Sequence, residues 1–152
     1  MKGGYNMTTE KLTILDKTAN HGINAEWAFC KAHGVDRVKH DNSKYFEDSD
    51  LNADGLHYSI KASGFSLMSG SLCEGLTEFN AIWNLYKSKV HSNRFVYITK
   101  SGIAYIMNID EFEKFVMTFG RLEYESQKNG GKVKIRCLKE SKKMIEWLEQ
   151  IA

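Results

Sequence analysis

Proline is missing from this chain, and cysteine is scarce: Cys30, Cys73 and Cys137 are the only three in 152 residues. The thiols are odd in number, widely separated and without CxxC spacing, which argues against a disulfide framework or a structural zinc site and favours reduced cysteines. The lack of proline has no evident physical reason. No stretch approaches the ~18 consecutive apolar residues of a membrane span. Met1 to Lys17 lacks the basic start and apolar run of a signal peptide, so a cytoplasmic protein with no membrane partner is expected. A strong charge of one sign is lacking too. The net charge of +2 does not by itself announce a nucleic-acid partner.

The charge is nevertheless unevenly spread. Residues 1–79 carry eight Lys/Arg against eleven Asp/Glu, a net −3, and residues 80–152 carry thirteen against eight, a net +5. That split suits a metal-holding half and a phosphate-holding half. At 42% hydrophobic content the chain has the apolar material for one globular domain over residues 1–152, with residues 1–20 as a flexible N-terminal segment.

Leu56 to Ser63 alternates: Leu56, Tyr58, Ile60 and Ala62 are apolar or small, and His57, Ser59, Lys61 and Ser63 are polar. This period of two predicts a strand with one buried face, on which Ser59 and Lys61 point the same way. Upstream, Asp54-Gly55 suits the tip of a two-residue hairpin, since such a turn requires positive φ. Ala53 then pairs with Leu56, and Asp50 falls opposite Ser59, with Cβ atoms roughly 4.5–5.5 Å apart.

A carboxylate, a hydroxyl and an ammonium sharing one face suit phosphodiester hydrolysis. A hard divalent cation polarises the phosphoryl oxygen and is held by one or two carboxylates with water and substrate oxygens. Asp50 is the candidate first ligand. Lys61 is placed to orient or deprotonate the attacking water and to neutralise developing charge. Ser59 is a weak ligand for Mg²⁺, so a second acid has to complete the site; Glu74 is the nearest along the chain, with Glu78 as the fallback.

With Asp50 on one strand and Ser59-Ile60-Lys61 on the next, the chain resembles the PD-(D/E)xK, or restriction-endonuclease-like, nucleases. Their hallmark is an Asp followed by acid-x-Lys. A subgroup of type II restriction enzymes is similar in having Ser or Thr at the acid position and a displaced carboxylate about a dozen residues beyond the lysine, where Glu74 lies. Ser49 stands where the family often has proline. The resemblance covers about Ala25 to Glu74. It implies a Mg²⁺-dependent DNA endonuclease in which Mn²⁺ can substitute, with Asp50 and Glu74 as metal ligands, Lys61 catalytic and Glu26 an auxiliary acid. It also implies double-stranded DNA as substrate and a homodimer. A repair, recombination or mobile-element nuclease acting on branched DNA is the alternative within that chemistry. A non-catalytic DNA-binding module is the alternative outside it.

The expected architecture is α/β: one domain with a mixed central sheet flanked by helices. Helices are predicted over Ala25–His33, Thr77–Val90, from Asp110 to Phe119, and Glu140–Ile151. Arg94–Thr99 and Ile103–Asn108 read as central strands, Leu122–Ser126 and Lys132–Leu138 as a final pair, and Gly64–Ser71 as a loop beside the site. Lys132, Lys134 and Arg136 alternate with Val133, Ile135 and Cys137, so one face of that strand offers three cations to phosphates. Ser66, Ser69 and Asn129 complete the candidate DNA contacts.

Overall fold

The structure, a computed structural model, describes residues 9–14, 28–32, 51–53, 56–67, 76–124 and 133–152. Within them the protein is a mixed α/β assembly. Strands β1 (Glu10–Thr13), β2 (Leu51–Ala53), β3 (Leu56–Ala62), β5 (Arg94–Ile98) and β6 (Ile103–Met107) form one sheet in the order β1-β6-β5-β3-β2. β3 and β5 run parallel and every other pair in this sheet is antiparallel. Strands β4 (Ser66–Leu67), β7 (Gly120–Tyr124) and β8 (Val133–Cys137) form a second, antiparallel sheet in the order β4-β8-β7. The helices are α1 (28–32), α2 (Phe79–Lys89), α3 (Ile109–Phe119) and α4 (Lys142–Ile151). No described helix is long and apolar enough to cross a membrane.

Each face of the five-stranded sheet has its own apolar cluster. Tyr58 and Ile60 of β3, Val96 and Ile98 of β5, and Ala104 and Ile106 of β6 pack with Phe29 of α1. Phe95, Tyr97, Tyr105 and Met107 face the other way, into a larger cluster with α2, α3, α4 and the inner side of the second sheet. Alternation along β5 and β6 therefore serves two cores at once, as expected for strands covered on both faces. Phe112 and Phe115 of α3 lie at the centre of the larger cluster, and the Phe112 ring stacks on Phe95 with centroids 4.4 Å apart and an interplanar angle of 4°.

Local chemistry explains the helix ends. Asn108 caps α3 by accepting from the Glu111 N–H (2.8 Å), and Glu111 accepts in return from the Asn108 N–H (3.0 Å), a capping box. Ser141 caps α4 by accepting from the Met144 N–H, so that helix starts at Lys142 and leaves Glu140 outside it.

Glu111 is buried, and its other oxygen accepts from the backbone N–H and the hydroxyl of Thr9. This ties the start of β1 to α3. The far end of β1 is held where the Ile14 N–H donates to the Gly102 carbonyl (2.6 Å). Gly102 has φ +84°, and a Cβ there would lie 2.5 Å from the Ile14 oxygen, so the β5–β6 turn requires glycine. A third tie joins β1 and β6 to α4: Lys11 Nζ lies 2.7 Å from Glu149 Oε1, which also accepts from the Tyr105 hydroxyl. The Lys11 ammonium, and then the Tyr105 hydrogen bond, hold the Glu149 carboxyl below the usual carboxylate range.

Two expectations change. Glu10–Thr13 lies within the stretch read as a flexible segment, yet it is a strand paired with β6 and further tied by these long-range bonds. Ser66 and Leu67, read as loop, form β4, because pairing with β8 supplies backbone partners that Gly- and Ser-rich sequence does not advertise.

Phe112→Ala is expected to lower unfolding free energy by about 3–5 kcal/mol, the usual cost of deleting a fully buried ring. Urea denaturation with unchanged m-value is the check, and a loss below about 1 kcal/mol would contradict a central place for Phe112 in the core.

Candidate active site

The β2–β3 hairpin has the register anticipated from Asp54-Gly55: Ala53↔Leu56, Asn52↔His57 and Leu51↔Tyr58. Asp50 and the turn residues themselves lie outside the described residues, as do Glu74 and Glu26. On the other edge β3 lies parallel to β5, with Ser59 beside Phe95 and Lys61 beside Tyr97. Ser59 and Lys61 share a face, as the alternation predicted. That face is not a solvated one. Ser59 is 0% exposed, because the β3–β5 pairing carries it against the Phe95 side of the sheet, and Tyr58 and Ile60 are buried on the opposite side. The expectation of a single buried face is corrected accordingly: β3 is an interior strand with two covered faces.

Solvent is reached toward the two ends of β3. Lys61 is half-buried, with Nζ 6.0 Å from the centroid of the Phe65 ring, within the range of a cation–π contact. His57, at the other end of the strand, is half-buried and its backbone is bonded twice to Asn93: its N–H donates to the side-chain Oδ1 (2.8 Å), and its carbonyl accepts from the Asn93 N–H (2.9 Å). Glu78, the fallback acid, is exposed at the N-cap position of α2 and makes no side-chain capping bond.

The carboxyl ends of β3 and β5 also gather residues the sequence did not single out. Glu140, in the β8–α4 connection, accepts from the Lys100 N–H with both oxygens (3.1 and 3.3 Å) and from the Tyr97 hydroxyl (3.3 Å). Its own N–H donates to Ser63 Oγ (2.9 Å). Burial, then the Glu140 charge and hydrogen bond, push the Tyr97 hydroxyl far above its ordinary value, with the Ser63 hydrogen bond opposing them. Tyr97 is therefore a neutral donor at physiological pH. Burial likewise pushes the Cys137 thiol up to about 12, against the pull of the Lys61 ammonium. Lys61, Ser63, Tyr97 and Glu140 thus line one end of a parallel strand pair, where α/β sheets commonly hold ligands. The signal for Glu140 was weak: it precedes Ser141, and only recognition of Ser141 as the cap separates it from the helix.

Chemically, this end offers a cation beside a parallel strand terminus, a neutral hydroxyl donor and one carboxylate. Both oxygens of Glu140 are already engaged, and among the described residues no group of three or more His, Cys, Asp or Glu could hold a metal ion.

The expected cationic row is partly neutralised. Val133, Ile135 and Cys137 pack inward as predicted. On the outer face, however, Glu123 of β7 sits opposite Lys134, with Oε1 3.8 Å from Lys134 Nζ and Oε2 2.7 Å from Arg136 Nε. The second contact is close, yet Arg136 Nε lacks the alignment of a hydrogen bond. Arg136 Nη1 donates to the Gly64 carbonyl (3.3 Å), and Ser66 lies exposed opposite Arg136. Lys132, Ser69 and Asn129 fall outside the described residues. Comparison of the chain with protein-family models, curated proteins and solved structures returned no match.

Because Cys137 keeps its proton when folded while the unfolded thiol ionises near 9.0, its contribution to stability is complete below about pH 9 and is lost as pH rises toward about 12. Tyr97 and Tyr105, both raised, act in the same direction at higher pH. Urea denaturation across this alkaline range should show stability falling, with a shallower fall in Cys137→Ala. An equal slope in the variant would contradict a thiol protonated in the folded state.

Proposed function

We propose that the protein is a Mg²⁺-dependent DNA endonuclease with a restriction-endonuclease-like core, cutting double-stranded DNA as a homodimer. The hairpin register carries this reading. Its rungs run from Ala53↔Leu56 to Leu51↔Tyr58, the register on which the sequence expectation of Asp50 opposite Ser59, two residues before Lys61, is built. The parallel β3–β5 pair adds support, since it ends in a half-buried lysine and a protonated tyrosine at the edge where α/β sheets bind ligands.

In this reading Asp50 and Glu74 hold the ion, and Glu26 is an auxiliary acid. Mg²⁺, or Mn²⁺ in its place, would supply Lewis-acid polarisation of the scissile phosphate. Lys61 orients the attacking water and offsets negative charge gathering on the phosphoryl oxygens. It does so from a partly desolvated position where a charge acts more strongly than in water. Ser59 fills the acid position as a packed hydroxyl and takes no direct part in ligation. Its burial beside Phe95 fixes the strand that presents Lys61. A two-fold dimer would place one such end against each strand of a duplex.

The test is cleavage of plasmid and four-way-junction DNA with Mg²⁺, Mn²⁺ or EDTA. Wild-type protein should cut with either ion and not in EDTA. Lys61→Ala should lose about 100-fold or more in rate, as removal of one charge-stabilising donor does, while still binding DNA. Asp50→Ala should abolish cutting. Discrete plasmid fragments assign a restriction-type enzyme, and selective junction cutting assigns a repair or recombination type. DNA binding without cleavage, unaltered by Asp50→Ala, overturns the enzymatic reading.

A further inference from the structure

The outer face of the second sheet carries a cleft of about 260 Å³, lined by Gly64, Arg121, Glu123, Arg136 and Lys139 with neighbouring Leu122, Cys137 and Leu138. We propose that this cleft binds a phosphate of the DNA backbone, with Arg121 and Lys139 as its principal cations and Glu123 as a built-in brake. The proposal rests on the nuclease reading for the identity of the polyanion, and its two principal cations are residues that the sequence pattern did not select.

Three observations support it. First, the cations are unequally committed. Lys134 and Arg136 share Glu123, whereas Arg121 and Lys139 are exposed and have no ion-pair partner among the described residues. Arg121 pairs directly across from Arg136, so two guanidinium groups stand on adjacent strands of one face. Like charges held opposite each other repel, and an anion between them relieves that repulsion.

Second, the cleft is built and not a scatter of surface charges. Arg136 is anchored to the Gly64 carbonyl, and the Lys139 stem lies along Gly64, its Cγ 3.7 Å from where a Cβ would be. Gly64 has φ +72°, which lets the β3–β4 turn fold tightly under both cations.

Third, the cleft adjoins the candidate active site along the chain. Gly64 is three residues beyond Lys61, a span of at most roughly 11 Å. Ser63, between them, accepts from the N–H of Glu140, the residue after Lys139. A strand of DNA entering at Lys61 would therefore continue over the turn and onto Arg136, Arg121 and Lys139. Phosphate contacts of this kind set position and contribute salt-dependent affinity without reading bases.

The brake makes the test two-signed. Binding of a short fluorescent DNA duplex to the full chain is measured in EDTA by anisotropy over a range of salt, so that catalysis plays no part. The paired variant Arg121→Ala/Lys139→Ala should bind about tenfold more weakly, and its log Kd against log salt should be shallower by about one, for the one phosphate that the two cations hold between them. Glu123→Gln should bind more tightly than wild type, because it removes a negative charge that lies beside Arg136 and Lys134. A merely structural Glu123 would not produce that gain. If the two variants shift affinity in these opposite directions while wild-type protein cuts no DNA with Mg²⁺ or Mn²⁺, the cleft stands and the nuclease reading falls. If wild-type protein cuts DNA but the paired variant binds with unchanged affinity and salt slope, the cleft is overturned and the nuclease reading stands. No duplex binding by wild-type protein also overturns the cleft.

Discussion

The parallel pairing of β3 with β5, sealed by side chains on both faces, is the constraint on which the rest of the structure depends. Unlike a hairpin, a parallel pair needs a crossover, here the connection containing α2, and burial of both faces to be stable. α1 and the Tyr58/Ile60 side satisfy one face. The aromatic cluster around Phe112 satisfies the other. Polar groups on β3 reach solvent at the ends of the strand, and at its carboxyl end Lys61 gathers with Ser63 and Tyr97. Ser59, one step further in, has no such exit and is packed away.

The same end of the sheet joins two chemistries. The Ser63-Gly64 turn leads from the interior strand β3 to β4 of the second sheet, and β8 brings Arg136 and the Lys139-Glu140 pair back to that turn. Glu140 is drawn inward by Tyr97 and the Lys100 N–H, and Lys139 is turned outward over Gly64. Two adjacent residues thus separate a buried polar cluster from an exposed cationic surface. The bias of positive charge toward the second half of the chain has its described counterpart in this surface. Glu123 moderates it through its contacts with Lys134 and Arg136.

Local signals in the sequence carried much of this and long-range ones did not. Asp54-Gly55 implied the hairpin register because turn chemistry is decided within four residues, whereas the capping pair of Asn108 and Glu111 went unread and the helix was expected to begin at Asp110, one residue late. β1 went unread because much of its anchorage comes from afar: Glu111 for Thr9, and Glu149 for Lys11. The alternation of β3 was legible, but it cannot distinguish a solvated face from one that meets a second core. Ser59 accordingly looked exposed and is not. The cations of β8 looked bare because a strand pattern does not reveal its cross-strand partner, here Glu123. Glu140 was hidden by a helix assignment two residues too long.

A divalent ion beside the carboxyl end of β3 is the central claim, and a crystal soaked in Mn²⁺ tests it most directly. One anomalous-scattering peak in contact with the carboxylates of Asp50 and Glu74, on the Lys61 side of the sheet, is the expected result. Side chains of Asp50, Glu74 and Lys61 facing three different directions, with any bound Mn²⁺ elsewhere, would contradict it.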